Sequence, residues 1–267
     1  MKSLREILGF APLFAGYGAA APAYDKGRPG YPDEVDAWLR NDLQIKPPRT
    51  VVLDLGAGTG KFTQRLLQAK GAEVIAIEPE PHMREKFSRR CPDVQVLDGQ
   101  AEAIPLPASS LDVVVCAQAF HLFANAQALA EIHRVLKPGG RLGLIWNLRD
   151  AKVPWVAQLA AIVQRYAGDY PRYFSGQWRT ALDQHYAGKY APLVEKHWHH
   201  GHTGAPEDVI VRRIKSISFI ASLPDADQAR IVDEVHSLIA SHPDLAGQEQ
   251  VTVPYDTVAM HTVKILP

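Results

Sequence analysis

The sequence predicts an α/β protein built around a doubly wound parallel sheet. Strand-like and helix-like segments alternate, with short links between them, from residue 50 to residue 147. The segment 111–116 is an almost continuous apolar run, which is typical of a strand that is buried on both faces. Repeated strand–helix–strand units predict parallel strands that are joined by right-handed crossovers.

Local patterns predict the individual elements along the chain. Hydrophobic periodicity predicts strands at 50–55, 73–77, 94–97, 111–116 and 141–146, and helices at 61–69, 81–90 and 125–136. The helix at 81 begins with a proline in its first turn, where proline is favoured. After residue 150 the pattern predicts an aromatic-rich helical region at 152–188, strands at 193–202 and 250–265, and amphipathic helices at 207–221 and 226–240.

The first strand runs into a glycine-rich turn, Gly56-Ala57-Gly58-Thr59-Gly60, which we call the glycine turn. Glycine has no Cβ, so its backbone can turn sharply and approach a ligand closely. Nucleotide-bearing cofactors bind at the carboxyl ends of parallel strands, where this turn is predicted to lie. A structural turn without a ligand would use the same residues.

The glycine spacing and Glu78 favour one type of cofactor. A dinucleotide fingerprint is G-x-G-x-x-G, whereas here the third glycine comes one position early and Lys61 stands where that motif requires glycine. A ligand without a phosphate, such as S-adenosylmethionine, does not need that close approach to the helix. Glu78 ends the next strand and can accept hydrogen bonds from both ribose hydroxyls. That role also suits NAD, so an NAD-dependent oxidoreductase stays an alternative.

Several segments resemble successive motifs of class I S-adenosylmethionine-dependent methyltransferases. These segments are 51–63, 77–79, 99–107 and 131–140. Three further segments, 24–32, 117–121 and 254–255, are similar to the small-molecule (methyltransferase type 11) branch that includes trans-aconitate-methyltransferase-like proteins. The resemblance covers most of the chain and is densest between residues 24 and 147. Its motifs are specific for the fold and the cofactor and are poor guides to the substrate.

The resemblance implies a Rossmann-like, mostly parallel sheet of seven strands with one antiparallel member near the C-terminus. Together with the aromatic-rich pattern after residue 150, it predicts four segments. These are an N-terminal lid at 1–45, the S-adenosylmethionine-binding core at 46–150, a helical, aromatic-rich cap at 151–190, and a part at 191–267 that completes the sheet.

The resemblance also implies roles for individual residues. Asp54 would brace the glycine turn, Gly56-Ala57-Gly58 would lie against the methionine part of the cofactor, and Glu78 would hold the ribose. The remaining expected cofactor-binding residues are Gln100 and Ala101 beside the adenine, Gln118 near the sulfonium, and Tyr24 and Arg28, which together with Tyr31 would form a lid over the pocket. Many relatives have aspartate where this chain has Gln100, whose amide oxygen can still accept a hydrogen bond from the adenine amino group.

His121 is the candidate general base, because it follows the fourth strand and titrates near neutral pH. A structural or substrate-binding role is the alternative for this residue. A carboxylate substrate would be ionised already and would need no base, and Arg28 could then orient it through charge-assisted hydrogen bonds or pair instead with the carboxylate of the cofactor. Aromatic faces from Tyr24, Phe120 or the cap could stabilise the sulfonium cation.

Composition excludes several function classes. The 267 residues include 29 Lys and Arg and 29 Asp and Glu, so the formal net charge of zero argues against nucleic acid as a partner. No apolar run is long enough to span a bilayer. The N-terminal segment imitates a secretory signal, but Glu6 and Pro12 fit such a signal poorly. We therefore expect a cytoplasmic protein, and the sequence leaves its oligomeric state open.

The histidine-rich segment His197-Trp198-His199-His200-Gly201-His202 does not predict a metal site. On a strand, the first two histidines of the segment share one face and the last two share the other. No nearby cysteine or acidic pair completes either half, so we expect no metal. Cys91 and Cys116 lack metal or redox spacing.

The predicted function is therefore transfer of the methyl group of S-adenosylmethionine to a small-molecule acceptor, with S-adenosylhomocysteine as the product. In-line displacement at an O, N, C or S atom fits this prediction, and a carboxylate oxygen is among the acceptors. The main alternative is an S-adenosylmethionine-binding protein of the same fold that catalyses a non-methylating reaction, since a fold does not determine a function.

Overall fold

A computed structural model describes residues 28–265 and contains one sheet of seven strands. The strands are β1 Thr50–Leu55, β2 Ala72–Ile77, β3 Val96–Leu97, β4 Leu111–Ala117, β5 Leu136–Arg149, β6 Val194–Gly204 and β7 Val251–Val263. Their order across the sheet is β3-β2-β1-β4-β5-β7-β6.

Strands β1 to β5 pair in parallel, and β7 is the antiparallel member. β1 pairs with β2 and with β4, β2 pairs with β3, and β4 pairs with β5, all in parallel. The backbone N–H of Gly139 donates to the carbonyl of Lys264 and that of Asp150 donates to the carbonyl of Pro254, so β7 runs opposite to β5. These pairings confirm the predicted mostly parallel seven-stranded sheet with one antiparallel strand.

The helices between the strands follow the predicted pattern in most places. They are α1 Glu34–Ala37, α2 Lys61–Gln68, α3 Pro81–Arg90, α4 Ala126–Val135, α5 Pro154–Arg165, α6 Gln177–Tyr186, α7 Arg212–Lys215, α8 Ser218–Ala221 and α9 Asp225–Ser241. Side-chain caps start two of them, since Glu80 accepts from the N–H of Met83 and Asn125 accepts from the N–H of Ala128.

Several predicted elements differ from the structure, and the strand predicted at 141–146 is longer, spanning Leu136–Arg149. The continuous helix predicted at 207–221 is wrong, because a π-helical turn at Glu207–Val211 is followed by the two short helices α7 and α8. The Ser216 hydroxyl donates to the carbonyl of Arg213, and Ile217 has an extended backbone, so α7 ends there. The strand predicted at 94–97 is limited to Val96–Leu97.

The chain divides into two compact units, and three of the strands contribute residues to both. The core unit comprises residues 31–146, 171–198 and 257–265 of the described chain, and the helical unit comprises residues 28–30, 147–170 and 199–256. Trp38, Val52 and Ile145 belong to the buried hydrophobic cluster of the core unit. Leu159 and Val235 belong to that of the helical unit. The segment boundaries predicted at residues 45, 150 and 190 remain predictions.

No helix within residues 28–265 has both the length and the apolar character that crossing a membrane requires.

Candidate functional site

The turns after β1 and β4 meet at one edge of the sheet in the core unit. Because β1, β2 and β4 are parallel neighbours, their carboxyl ends lie at the same edge. A Cβ added to Gly56 would lie 2.8 Å from the Cβ of Ala119, so the glycine turn touches the loop that follows β4. The structure therefore brings the glycine turn, Glu78 and Gln118 to one edge, as the sequence predicts.

The backbone N–H groups of the glycine turn are largely used inside the protein. The N–H groups of Gly56 and Ala57 both donate to the carbonyl of Ile77, at 2.9 and 3.1 Å, and that of Gly60 donates to the carbonyl of Ala57. The N–H of Gly58 donates to Oε2 of Glu78 at 2.8 Å. A dinucleotide turn presents such groups to a pyrophosphate. Here the anion at Gly58 is a carboxylate of the protein itself.

All three glycines of the turn have positive φ, and packing inside the protein accounts for two of them. Gly56, Gly58 and Gly60 have φ of 75°, 58° and 81°. A Cβ on Gly60 would lie 2.9 Å from the ring of Phe87 in α3, and a Cβ on Gly56 would meet Ala119 as described above. Close packing against neighbouring elements thus requires these two glycines whether or not a ligand binds.

Asp54 is fully buried at the end of β1 and has one unsatisfied oxygen. Its Oδ2 accepts a hydrogen bond of 2.6 Å from the hydroxyl of Thr63, which ties β1 to α2. Its Oδ1 is buried and has no hydrogen-bond partner among the described residues. Burial raises the pKa of Asp54 to about 6, and the bond from Thr63 opposes this shift. A donor or a positive charge on a ligand would satisfy this oxygen.

Glu78 is 6% exposed and accepts one backbone hydrogen bond on each carboxylate oxygen. The N–H of Gly58 binds Oε2 at 2.8 Å, and the N–H of Glu80 binds Oε1 at 2.9 Å. Burial raises the pKa of Glu78 to about 7, while these two bonds act in the opposite direction. Each ionised oxygen keeps a second lone pair. The carboxylate therefore has room for two hydroxyl donors, as a ribose diol would supply.

The loop that contains Gln100 and Ala101 is fixed by helix α4. Ala101 is buried, and the N–H of Ala103 donates to the carbonyl of Gln100 at 3.1 Å. Glu131 and Arg134 bond to each other and hold this loop from one face of the helix. Oε2 of Glu131 accepts from the N–H of Ile104, and the guanidinium of Arg134 donates to the carbonyls of Ile104 and Leu106. Sequence reasoning placed Glu131 and Arg134 in a motif without assigning this contact, although their i,i+3 spacing could have suggested it.

Gln118 and His121 lie just beyond the end of β4. Gln118 has a φ of 58°, which is rare for a residue other than glycine, and its N–H donates to the carbonyl of Ile145. Such outliers concentrate at functional sites, where the surrounding structure holds them in place. His121 lies in the 3₁₀ turn Phe120–Leu122, and its Nδ1 accepts a hydrogen bond of 3.1 Å from Nε1 of Trp146.

Four aromatic side chains pack together behind His121, and we call them the aromatic cluster. Its members are Phe120, Trp146, Tyr173 and Trp178. The ring centroids of Trp146 and Trp178 are 4.9 Å apart, and those of Tyr173 and Trp178 are 5.4 Å apart and stacked. Phe120 is fully buried and contacts Trp178 edge-on, so its ring is a packing element here. Sequence reasoning found the aromatic enrichment but not these partners.

The lid role expected of Tyr24, Arg28 and Tyr31 is not tested by the described residues, although the ring of Tyr31 packs edge-on against Phe62 in α2. Tyr24 lies outside the described residues. Arg28 belongs to the helical unit, where its Nη2 donates to the carbonyl of Ser216 at 3.2 Å. The lid role of these three residues remains a prediction.

The histidines of β6 alternate as a strand requires. His197 and His199 are exposed, whereas His200 and His202 are partly buried. Within residues 28–265, no three or more His, Cys, Asp or Glu side chains are grouped as ligands for a metal ion.

Comparison with known proteins identifies the family. The family model of a methyltransferase domain matches residues 53–144. The chain is 35% identical over 243 residues to an uncharacterized methyltransferase-like protein, C25B8.10, of Schizosaccharomyces pombe, covering 90% of this chain and 92% of that protein. It is 37% identical over 244 residues to an uncharacterized methyltransferase, Mb3374, of Mycobacterium bovis, covering 91% and 93%.

A solved structure shares the fold. Phosphoethanolamine N-methyltransferase 2 of Haemonchus contortus, in complex with S-adenosyl-L-methionine, aligns with a TM-score of 0.55 and 15% identity. The alignment covers 100% of this chain and 61% of that chain. At this identity the likeness concerns the fold alone.

The fold and these relatives define the class of the protein: it is an enzyme of the S-adenosylmethionine-dependent methyltransferases. The chain belongs to the methyltransferase family, together with the full-length relatives from S. pombe and M. bovis. The predicted class, sheet and cofactor are thereby confirmed, and the NAD-dependent alternative is not supported. The trans-aconitate-like branch remains a prediction.

Proposed function

We propose that the protein transfers the methyl group of S-adenosylmethionine to a small-molecule acceptor by in-line displacement. The observation that carries the proposal is the pair of buried carboxylates at the glycine turn. Asp54 and Glu78 are 0% and 6% exposed, and burial raises the pKa of both carboxyl groups. A cationic ligand with a ribose diol relieves the cost of burying two negative charges, whereas a pyrophosphate would increase it.

We assign each part of the cofactor to particular residues. Glu78 accepts hydrogen bonds from the ribose hydroxyls through its remaining lone pairs, and Asp54 supplies negative charge at the end of β1. Gly56, Ala57 and Gly58 offer Cα atoms and carbonyls, since the N–H groups of all three donate to protein acceptors. The remaining contacts are proposed for Gln100 and Ala101 beside the adenine, Gln118 near the sulfonium, and Tyr24 and Arg28 in a lid.

When it is bound, the cofactor supplies a methyl group that is already activated by a sulfonium sulfur. The protein then has to exclude water and hold the acceptor atom in line with the methyl carbon, at roughly 3 Å. The loop after β4 is in position for this task because Ala119 touches the glycine turn. The zero net charge of the chain favours a small molecule over nucleic acid as the acceptor.

Two measurements on the full chain test the proposal. Isothermal titration compares S-adenosylmethionine and S-adenosylhomocysteine with NAD, and we expect binding of the first two only. Mass spectrometry of small-molecule mixtures then searches for products in which a methyl group has replaced a hydrogen. Binding without any methylated product would favour the non-methylating alternative, and binding of NAD alone would refute the proposal.

A further inference from the structure

The hydrogen bond between Trp146 and His121 determines which imidazole nitrogen carries the proton. The distance from Nε1 of Trp146 to Nδ1 of His121 is 3.1 Å. An indole N–H is a donor and never an acceptor, so Nδ1 must be the acceptor and must lack a hydrogen. In the neutral ring the single hydrogen therefore sits on Nε2.

The aromatic cluster keeps the indole in this position. Trp146 is fully buried, and its ring lies 4.9 Å from Trp178 and 5.1 Å from Tyr173. The N–H of Trp178 donates to the carbonyl of Tyr173, which fixes the neighbouring ring. If His121 turned away, the buried N–H of Trp146 would lose its acceptor, which is costly. If the imidazole of His121 were doubly protonated, its Nδ1–H would face the indole N–H of Trp146, and two donors would point at each other.

We propose that His121 acts as a hydrogen-bond donor through Nε2–H that orients the methyl acceptor, and not as a general base. A base needs a lone pair directed at the substrate, but the lone pair of the neutral ring lies on Nδ1 and is bound to Trp146. Nε2 lies on the other side of Cε1, so it is directed away from the buried indole, and His121 is only partly buried. This inference rests on the proposed methyl transfer.

The assignment restricts the acceptor. No proton is removed by His121, so the reacting atom must carry a free lone pair when it binds. The substrate must also present a hydrogen-bond acceptor, such as an oxygen, to Nε2–H. Transfer then forms a bond from that lone pair to the methyl carbon, while the electron pair of the breaking carbon–sulfur bond stays on sulfur. A site built around such a donor discriminates strongly against analogues that lack the matching acceptor.

Nuclear magnetic resonance of the full chain bound to S-adenosylhomocysteine tests the tautomer without any acceptor. Long-range proton–nitrogen spectra of ¹⁵N-histidine-labelled protein distinguish the two tautomers, and the His121→Gln variant identifies the signals. We expect the Nε2–H tautomer, and we expect Trp146→Phe to shift it toward a mixture. Trp178→Phe is the matched control, because it removes an indole N–H that binds Tyr173 and should leave His121 unchanged. An Nδ1–H tautomer, or no response to Trp146→Phe, would overturn the inference.

Kinetics with an acceptor found by mass spectrometry test the role of the donor. His121→Gln places an amide N–H near the position of Nε2 but has no basic nitrogen, whereas His121→Asn can accept from Trp146 and does not reach that position. We expect kcat/KM of the Gln variant within about fivefold of the wild type, and a loss of about 10- to 100-fold for Asn. A loss of about 10²- to 10⁴-fold in both variants would indicate a general base and refute the inference.

The two proposals fail in distinguishable ways. If S-adenosylhomocysteine binds but no small molecule is methylated, the proposed function fails while the tautomer of His121 is still measured. If methyl transfer occurs and the Gln variant is as inactive as the Asn variant, the proposed function stands and the donor role fails.

Discussion

The glycine turn is held by hydrogen bonds between backbone groups and carboxylates, whereas the aromatic cluster is held by packing between rings. Two backbone N–H groups of the turn bind Ile77, a third binds Glu78, and Thr63 binds Asp54, so the contacts join neighbouring strands and their connections. The cluster instead joins Phe120 to Trp178, which is 58 positions further along the chain. We propose that the first region binds the cofactor and that the second lies on the side of the acceptor.

This difference predicts that changes at the turn alter cofactor affinity, while changes in the cluster alter turnover at nearly constant cofactor affinity. Four variants should lose affinity for S-adenosylhomocysteine to decreasing extents, as isothermal titration on the full chain would measure. A fifth prediction concerns thermal unfolding.

The largest effect is expected for Gly58→Val. A β-branched residue is an outlier at a φ of 58°, and its side chain would occupy the path of the cofactor. We expect the affinity to fall by more than about 100-fold, that is by about 3 kcal/mol. The control is Gly139→Val, because Gly139 has a φ of 74°, no atom lies within 4 Å of an added Cβ, and the residue is near the amino end of β5. Wild-type affinity in Gly58→Val would refute the placement of the cofactor.

A smaller and pH-dependent effect is expected for Glu78→Gln. Glutamine loses the charge and one acceptor oxygen, so we expect affinity to fall by about 10- to 100-fold near pH 8. Because burial raises the pKa of Glu78 to about 7, the wild-type carboxyl becomes protonated below that pH and the difference between the two proteins narrows. If the ratio of the wild-type affinity to the Glu78→Gln affinity stays constant from about pH 5.5 to pH 8, the ionised carboxylate does not have the proposed role.

The same pKa shift determines how stability depends on pH without cofactor. The folded protein holds the Glu78 proton more tightly than the unfolded chain, whose pKa is near the ordinary value of 4.5. The contribution of Glu78 to stability therefore falls as the pH rises from about 4.5 to about 7. Thermal unfolding should show a steeper loss of stability over this range in the wild type than in Glu78→Gln. Equal slopes would indicate that the pKa of Glu78 is not raised.

Arg134→Met tests whether helix α4 contributes to cofactor binding by holding the loop with Gln100 and Ala101. The change removes the donors to the carbonyls of Ile104 and Leu106 but keeps the apolar stem. We expect a loss of roughly 3- to 10-fold in affinity, since the loop with Gln100 and Ala101 becomes less fixed. Arg89→Met is the control, because Arg89 forms only an exposed pair with Glu85 on α3. Equal affinities of the two variants would mean that this loop does not contact the cofactor.

The smallest change in affinity is expected for Tyr173→Ala. Its ring packs on Trp146 and Trp178, so its loss should reduce stability by about 1–3 kcal/mol and reduce turnover of the acceptor. Affinity for S-adenosylhomocysteine should stay within about twofold, which corresponds to less than 0.5 kcal/mol. The neighbouring Phe174 is 68% exposed, and Phe174→Ala should change neither property. A large loss of affinity in Tyr173→Ala would remove the distinction between the two regions.

The sequence predicts the glycine turn and its neighbouring elements well, because these elements are close along the chain and follow the alternation of strands and helices. The strand, glycine turn and helix at 50–68 and the strand end at Glu78 follow from periodicity, and parallel pairing then brings them to one edge. Sequence alone assigns Gly60 to the turn, but only the structure shows that Phe87 and Cys91 occupy the space that a Cβ at this position would need. The resemblance to a family supplied the roles of the residues, and these roles remain predictions.

The aromatic cluster and its bond to His121 were less predictable because their contacts join distant segments. No period in the sequence connects His121 to Trp146, or Trp146 to Trp178, so the hydrogen bond that fixes the tautomer could not be inferred. The helix predicted at 207–221 failed for a related reason, since a side-chain bond from Ser216 to the backbone competes with helical bonds.

The most direct test of the proposed cofactor site is a crystal structure of the full chain with S-adenosylhomocysteine. We expect both ribose hydroxyls within hydrogen-bond distance of the two oxygens of Glu78, with the ligand against Gly56 and Gly58 and a donor near Oδ1 of Asp54. The space beside the sulfur should then be bordered by His121. A ligand whose ribose lies away from Glu78, or one bound at another edge of the sheet, would contradict it.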